Sequence, residues 1–332
     1  MTAPLRIGLL GAARISTGAI IAPAAGRDDV TVTAVAARDP VRAHAFAATH
    51  DIGHVHTSYR ELIADPDVDA VYNALPNGLH GVWTVAAVQA GKHVLCEKPL
   101  AANAEEAAAV ADAAARAGKV VMEAFHWRYH PLALRVLDLV RGGAIGDLRR
   151  VEADFVVAIP DPEDIRWRLD LAGGSLMDLG CYAVSFVRAV TSEEPRVVRA
   201  RARQREPGVD RFFAARLVTP TGVRARIVCG MQVRRRTSTR ARVVGSDGTI
   251  AVANYISPHH DALINLMRGR KREVEELPTR STYEYQLDAF VGAVRDGAPL
   301  PTDAADGVAN MAVIDACYRA AGLPLRQPTA TV

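Results

Sequence analysis

Short apolar runs alternate with helical patterns through the first third of the chain, and this alternation limits the fold more than any other feature. The runs are Arg6-Ile7-Gly8-Leu9-Leu10, Val30 to Ala36, Asp69 to Ala74, His93 to Cys96 and Lys119 to Met122. Each reads as a strand, and the sequence between them reads as helix, which is the pattern of βαβ units and a parallel sheet. The segment after Pro99 carries its own punctuation. Asn103 caps a helix, Glu106 closes a capping box, and alanine-rich sequence runs for about four turns to Gly118.

After about residue 123 the texture becomes longer, alternating, β-branched and arginine-bearing, over 148–158, 196–205, 211–218 and 223–233, with turn signals at Pro220-Thr221-Gly222 and Ser246-Asp247-Gly248. An open, largely antiparallel sheet is expected there. The helical pattern Tyr285, Leu287, Phe290, Val291, Val294 ends at Gly297, and 303–321 gives another helix; the two are expected to brace the interdomain region. With 332 residues the chain is long enough for two cores. The expected fold is α/β: a dinucleotide-binding, doubly wound parallel sheet over 1–122, then an α+β domain over 123–332 for substrate binding and self-association.

Composition excludes several classes. Hydrophobic residues make up 49% of the chain, but no apolar run reaches the roughly twenty residues that span a bilayer. The N-terminus lacks the pattern of a signal peptide, so a cytoplasmic protein without a membrane segment is expected. Cys96, Cys181, Cys229 and Cys317 are widely separated, which suggests reduced thiols and no structural metal. Net charge is +3. Arginines cluster at Arg234, Arg235, Arg236, Arg240 and Arg242, and again at Arg268 to Arg272. No nucleic-acid motif accompanies them, so solvated faces or a subunit interface are expected rather than nucleic acid.

Gly11-Ala12-Ala13-Arg14-Ile15-Ser16 stands at the turn from the first strand into a helix, where a Rossmann dinucleotide fold brings backbone amides to a pyrophosphate. Only Gly11 of the three usual glycines is kept. After the second strand an NAD enzyme places a carboxylate on the ribose, whereas this chain has Ala37-Arg38-Asp39 with Arg42 nearby. Arg38 offers a fork suited to a 2′-phosphate, which favours NADP over NAD. The other reading makes Arg38 a surface arginine and gives the ribose to Asp39.

Cys96-Glu97-Lys98-Pro99 is followed far down the chain by Gly173-Gly174-Ser175-Leu176-Met177-Asp178-Leu179-Gly180-Cys181-Tyr182. The pairing supplies a lysine, an aspartate and a tyrosine, the set that a nicotinamide-dependent ketone or alcohol oxidoreductase needs. Together with Gly11-x-Ala13 and Asn73-Ala74-Leu75-Pro76-Asn77 with His80, these motifs resemble the glucose–fructose oxidoreductase, inositol dehydrogenase and rhizopine catabolism family. The tyrosine at 182 resembles the branch that holds dihydrodiol dehydrogenases, xylose dehydrogenases and deoxysugar 3-ketoreductases, which mostly use NADP.

The resemblance implies roles. Tyr182 is the expected proton donor and acceptor, and Lys98 is expected to stabilise the phenolate and the reacting oxygen. Asp178 lies four residues before Tyr182, on the same face if the segment is helical, and would orient a substrate hydroxyl or Lys98. Taken alone, Asp178 reads first as a cap and Tyr182 as a core tyrosine, and the match with Lys98 changes the balance. The family often has a cis bond at the position of Lys98-Pro99. Gly11, Ala13, Arg14, Ile15, Arg38, Leu75, Pro76, Asn77, His80, Glu97, Lys98 and Pro99 form the expected cofactor set, with helix packing the competing role for His80. Glu123, His126, Arg128 and Arg166 are the expected substrate contacts. His126 and His130 have helical metal spacing, but Pro131 and the lack of further ligands argue against a metal. For Trp127 and Trp167 core packing is favoured over stacking on a sugar, and for Arg166 and Arg168 plain exposure reads as well as binding hydroxyls or phosphate.

The expected activity is hydride transfer between NADP and the carbonyl or hydroxyl of a sugar, polyol or cyclic diol. Reduction of a nucleotide-diphosphate ketosugar and redox-neutral glycoside cleavage are the alternatives. A homodimer or homotetramer is expected, because an open sheet face favours self-association.

Overall fold

The computed structural model describes residues 3–231 and 237–330, so Arg234, Arg235 and Arg236 lie outside the described residues. The chain forms two compact units, one built from residues up to Phe125 with Tyr283–Val308, the other from His126–Thr282 with Ala309–Thr329.

The first unit holds a parallel sheet of β1 (Leu5–Leu10), β2 (Val30–Ala36), β3 (His54–His56), β4 (Ala70–Asn73), β5 (His93–Cys96) and β6 (Val121–Glu123), in the order β3-β2-β1-β4-β5-β6. The order reverses between β1 and β4, which opens a crevice beyond their carboxyl ends. Ile7, Leu9, Val35, Val71, Tyr72, Val94 and Met122 are buried, as strands covered on both faces require. Helices Pro40–His50, Asn77–Gln89 and Ala104–Ala117 connect the strands. Asn103 caps the last through Glu106 N at 2.9 Å, and the helix stops at Gly118 with φ 61°. The Glu106 carboxylate takes the amide of Ala102, so it secures the turn before the cap.

The second unit is built on an eight-stranded sheet, ordered β14-β13-β12-β11-β7-β10-β9-β8. Its strands are β7 (Leu148–Val157), β8 (Arg196–Glu206), β9 (Val209–Val218), β10 (Arg224–Met231), β11 (Ala241–Gly245), β12 (Gly248–Val252), β13 (Leu263–Arg268) and β14 (Lys271–Glu276). All neighbours are antiparallel except β7 and β10, which run parallel from Arg150↔Arg224 to Val157↔Met231. Helix Cys181–Thr191 packs on the inner face, with Val184, Phe186 and Val187 buried. All four cysteines are buried and reduced. Among the described residues no helix is long and apolar enough to cross a membrane.

Candidate active site

In the first unit the cofactor-motif residues gather at the carboxyl ends of β1, β2, β4 and β5. Gly11 has φ +95°, and a Cβ there would come within 3.2 Å of Leu75 Cδ2. Glycine is therefore needed where the chain leaves β1. Ala13 takes the cap position before Arg14 without a side-chain acceptor, and Arg14 and Ile15 are exposed. The first helical turn thus offers amides unobstructed by a capping side chain, which suits a pyrophosphate. Arg42 donates to Ala12 O at 2.8 Å and ties this turn to the end of β2.

Arg38 is exposed beside that turn. Asp39 caps helix Pro40–His50 through the amides of Val41 at 2.9 Å and Arg42 at 3.3 Å. Its carboxylate is engaged in the helix, which weighs against the ribose role for Asp39. These residues fit a dinucleotide with a phosphorylated ribose.

The Glu97–Leu100 turn after β5 is held by three buried groups. Tyr72 donates to Glu97 Oε1 at 2.6 Å, the His80 ring lies 2.7 Å from Pro99 O, and Glu123 Oε1 accepts from Leu100 N at 2.9 Å. The Lys98-Pro99 bond is cis, and Lys98 is half-buried. His80 also lies 2.6 Å from Leu75 O, so its ring straps the Leu75-Pro76-Asn77 turn to the lysine turn. Burial pushes its imidazole down to about 4 against the pull of the two carbonyls. Asn73 is likewise engaged internally, donating to His80 O at 3.0 Å and Thr84 Oγ1 at 3.2 Å. His80, Glu123 and Asn73 thus shape the turns that carry Leu75, Pro76, Asn77 and Lys98. Tyr283, which the sequence reading passed over, lies close enough to Glu97 for burial and that carboxylate to push its phenol up.

In the second unit Asp178 lies in a π turn, Leu176–Gly180, that runs into helix Cys181–Thr191, which carries Tyr182, so the segment is helical throughout. A Cβ at Gly180 would clash with Leu176 and approach Cys229 Sγ to 2.8 Å. Such π turns recur at functional sites. Asp178 Oδ2 accepts from Arg166 Nε at 2.8 Å, and Arg166 Nη1 also lies 3.1 Å from both oxygens of Asp164. The carboxylates raise the Arg166 guanidinium further. Asp178 is not a helix cap.

Tyr182 is buried, edge-on to Phe155 at 5.4 Å and to His126 at 5.8 Å. Its hydroxyl lies 3.3 Å from His126 Nε2. His126 is thus brought to Tyr182, whereas His130 caps helix Pro131–Arg141 by accepting from Leu132 N at 3.1 Å. The two histidines serve different partners. Arg128 stands 5.6 Å over the Trp127 ring. Trp167 is buried beneath Arg205 at 4.7 Å and donates to Asp161 O, a packing role.

The sequence matches two family models: an oxidoreductase family with an NAD-binding Rossmann fold over residues 5–125, and the Gfo/Idh/MocA C-terminal domain over residues 133–251. It is 37% identical over 320 residues to the NADP-dependent D-xylose 1-dehydrogenase of Haloferax volcanii, covering 96% of this chain and 97% of that one. It is 36% identical over 331 residues to a dTDP-3,4-didehydro-2,6-dideoxy-α-D-glucose 3-reductase of Streptomyces violaceoruber, covering 96% of each. The fold superposes with a TM-score of 0.88 and 30% identity on a 3-ketoreductase from Actinomadura kijaniata in complex with NADP and TDP-benzene, over 96% of this chain and 98% of that one. With two family models matched over most of its length and relatives of 36–37% identity along nearly all of it, the chain belongs to the Gfo/Idh/MocA family of NAD(P)-dependent oxidoreductases.

Proposed function

We propose that the chain is an NADP-dependent oxidoreductase acting on the carbonyl or hydroxyl of a sugar, polyol or cyclic diol. The observation that carries this reading is the buried Tyr182 hydroxyl, 3.3 Å from an imidazole nitrogen: a phenol set to exchange a proton. The bound nicotinamide supplies or takes the hydride. Gly11, Ala13, Arg14 and Ile15 hold the pyrophosphate, and Arg38 holds the 2′-phosphate. Leu75, Pro76 and Asn77 line the nicotinamide side.

Tyr182 gives its proton to the alkoxide that forms when a ketone is reduced, and takes it back in oxidation. Lys98 carries the positive charge that stabilises phenolate and alkoxide alike. Asp178, ion-paired with Arg166 at 2.8 Å, accepts a substrate hydroxyl.

Nucleotide-linked ketosugar reduction is the second reading, supported by likeness to the Streptomyces reductase. Against it, Arg166 is paired with Asp164 and Asp178, and Arg168 with Asp170, so these two arginines just before the Gly173-Gly174 turn already have counter-charges. A diphosphate would have to displace them. The test is NADPH formation from NADP with D-xylose, other aldoses, polyols and cyclic diols, beside NAD, Tyr182→Phe and Lys98→Met. Turnover with NADP that Tyr182→Phe lowers about 10²–10⁴-fold is expected. Full activity of Tyr182→Phe would sink the reading, and turnover only with dTDP-linked ketosugars would select the second.

A further inference from the structure

Behind Tyr182 the second unit aligns further groups that exchange protons. His126 Nδ1 lies 2.8 Å from the hydroxyl of Thr282, and that same hydroxyl lies 3.3 Å from His259 Nδ1. Thr282 and His126 are buried. His259 is half-buried, with its ring 4.1 Å from that of His260, which is exposed. A line therefore runs from the buried phenol to the surface: Tyr182, His126, Thr282, His259. Every member can both give and accept a proton. Thr282 begins helix Thr282–Asp296. The hydroxyl is what joins the two imidazoles.

We propose that His126, Thr282 and His259 relay protons between Tyr182 and solvent; the inference rests on the role given to Tyr182 above. In reduction the Tyr182 O–H bond breaks as the product alkoxide takes the proton. The phenolate takes the proton of His126 Nε2, and His126 Nδ1 takes the hydroxyl proton of Thr282. Thr282 Oγ1 takes the proton of His259 Nδ1, and His259 regains one from water. One proton enters at His259 for each one delivered to product, and no other bond changes. In oxidation every transfer runs backwards. The contacts of 3.3 Å are at the long end for hydrogen bonds, as is common before substrate closes a site. His126, Thr282 and His259 are positioning and relay groups; Tyr182 is the group that exchanges the proton with the reacting oxygen.

The experiment compares Thr282→Val, Thr282→Ser, His259→Gln and Tyr182→Phe in the full-length protein, with NADP and whichever panel sugar is oxidised fastest. Thr282→Val is expected to keep melting temperature, NADPH Kd and sugar KM while kcat falls about tenfold or more. Added imidazole, a small proton carrier, is expected to restore much of that loss, and Thr282→Ser to recover the rate without it. Wild-type kcat in Thr282→Val, or a loss that imidazole leaves untouched, would overturn the relay. If Thr282→Val does not fold, His259→Gln near the surface carries the same comparison. A fully active Tyr182→Phe would overturn the underlying reading instead, whereas an inactive Tyr182→Phe beside a fully active Thr282→Val would remove the relay alone.

Discussion

Arg326 and Asp210 form an ion pair at 2.8 Å in which neither side chain has any exposed surface. Asp210 also accepts from Ser175 Oγ at 2.7 Å, Leu176 N at 2.8 Å and Tyr318 OH at 3.1 Å. Arg326 donates through Nε to Gly173 O at 2.7 Å and stacks over Tyr318 at 4.2 Å. The pair thereby anchors the Gly173-Gly174 turn that leads into Asp178 and Tyr182. Burial raises the Asp210 carboxyl despite the guanidinium beside it.

Removing one half of such a pair leaves an uncompensated buried charge. Arg326→Met is expected to cost about 3–5 kcal/mol in urea unfolding, and the double change Asp210→Asn with Arg326→Met to cost clearly less. A single variant as stable as the parent would mean that water reaches the carboxylate.

Cofactor choice rests on Arg38. Because Asp39 is engaged as a helix cap, Arg38→Ala is expected to weaken NADPH about 10- to 100-fold while leaving NADH nearly unchanged, the range for a charged hydrogen bond. Fluorescence titration with both nucleotides measures it. Equal losses for the two would assign Arg38 to the shared part of the dinucleotide.

Acid is expected to destabilise the fold through His130. Burial, helped by His259, pushes its imidazole down to about 4, while the Arg280 and Pro278 backbone pulls the other way. The unfolded chain takes up a proton near 6.5 that the folded chain refuses, so this contribution is complete above about 6.5 and is lost as pH falls toward 4. The slope approaches about 1.4 kcal/mol per pH unit for one such group. His80 acts in the same direction. His130→Asn retains an oxygen to cap Leu132, and its melting temperature should fall less between pH 7 and 5 than that of the parent. Parallel curves would show that His130 titrates normally.

On the second sheet Arg216 is the register partner of both Arg199 and Arg226. Like charges directly opposite repel, and Arg226 is the only one of the three given an acid partner among the described residues, Asp154 at 3.1 Å. Arg216→Thr is expected to stabilise the fold by about 0.5 kcal/mol at low salt and by less at high salt. Destabilisation at low salt would mean that the arginine row meets negative charge from another source.

Most strands of the first unit were legible because they are short apolar or β-branched runs set between helical patterns. β3 was not, since His54 and His56 flank a single valine and only pairing with Ala34 to Ala36 makes it a strand. The parallel pairing of β7 with β10 joins strands far apart in the chain, which no local pattern records. Lys98, Tyr182 and Arg38 stood out as residue types in motifs. The π turn did not, because no local residue pattern marks it. Nor did Thr282, His259, Asp210 or Arg326, whose partners lie 23 to 156 residues away.

The first unit takes in a stretch from the far end of the chain. Thr302 donates through Oγ1 to Glu123 O, and Glu123 N donates to Thr302 O, so the outer edge of β6 is completed by residues near 302. On the ribosome, the half of the protein that is made first is therefore the half that must wait. Its sheet keeps an open border until His126–Thr282 of the second unit and the stretch on to Thr302 have emerged, and no single cut after Phe125 releases a finished nucleotide-binding domain.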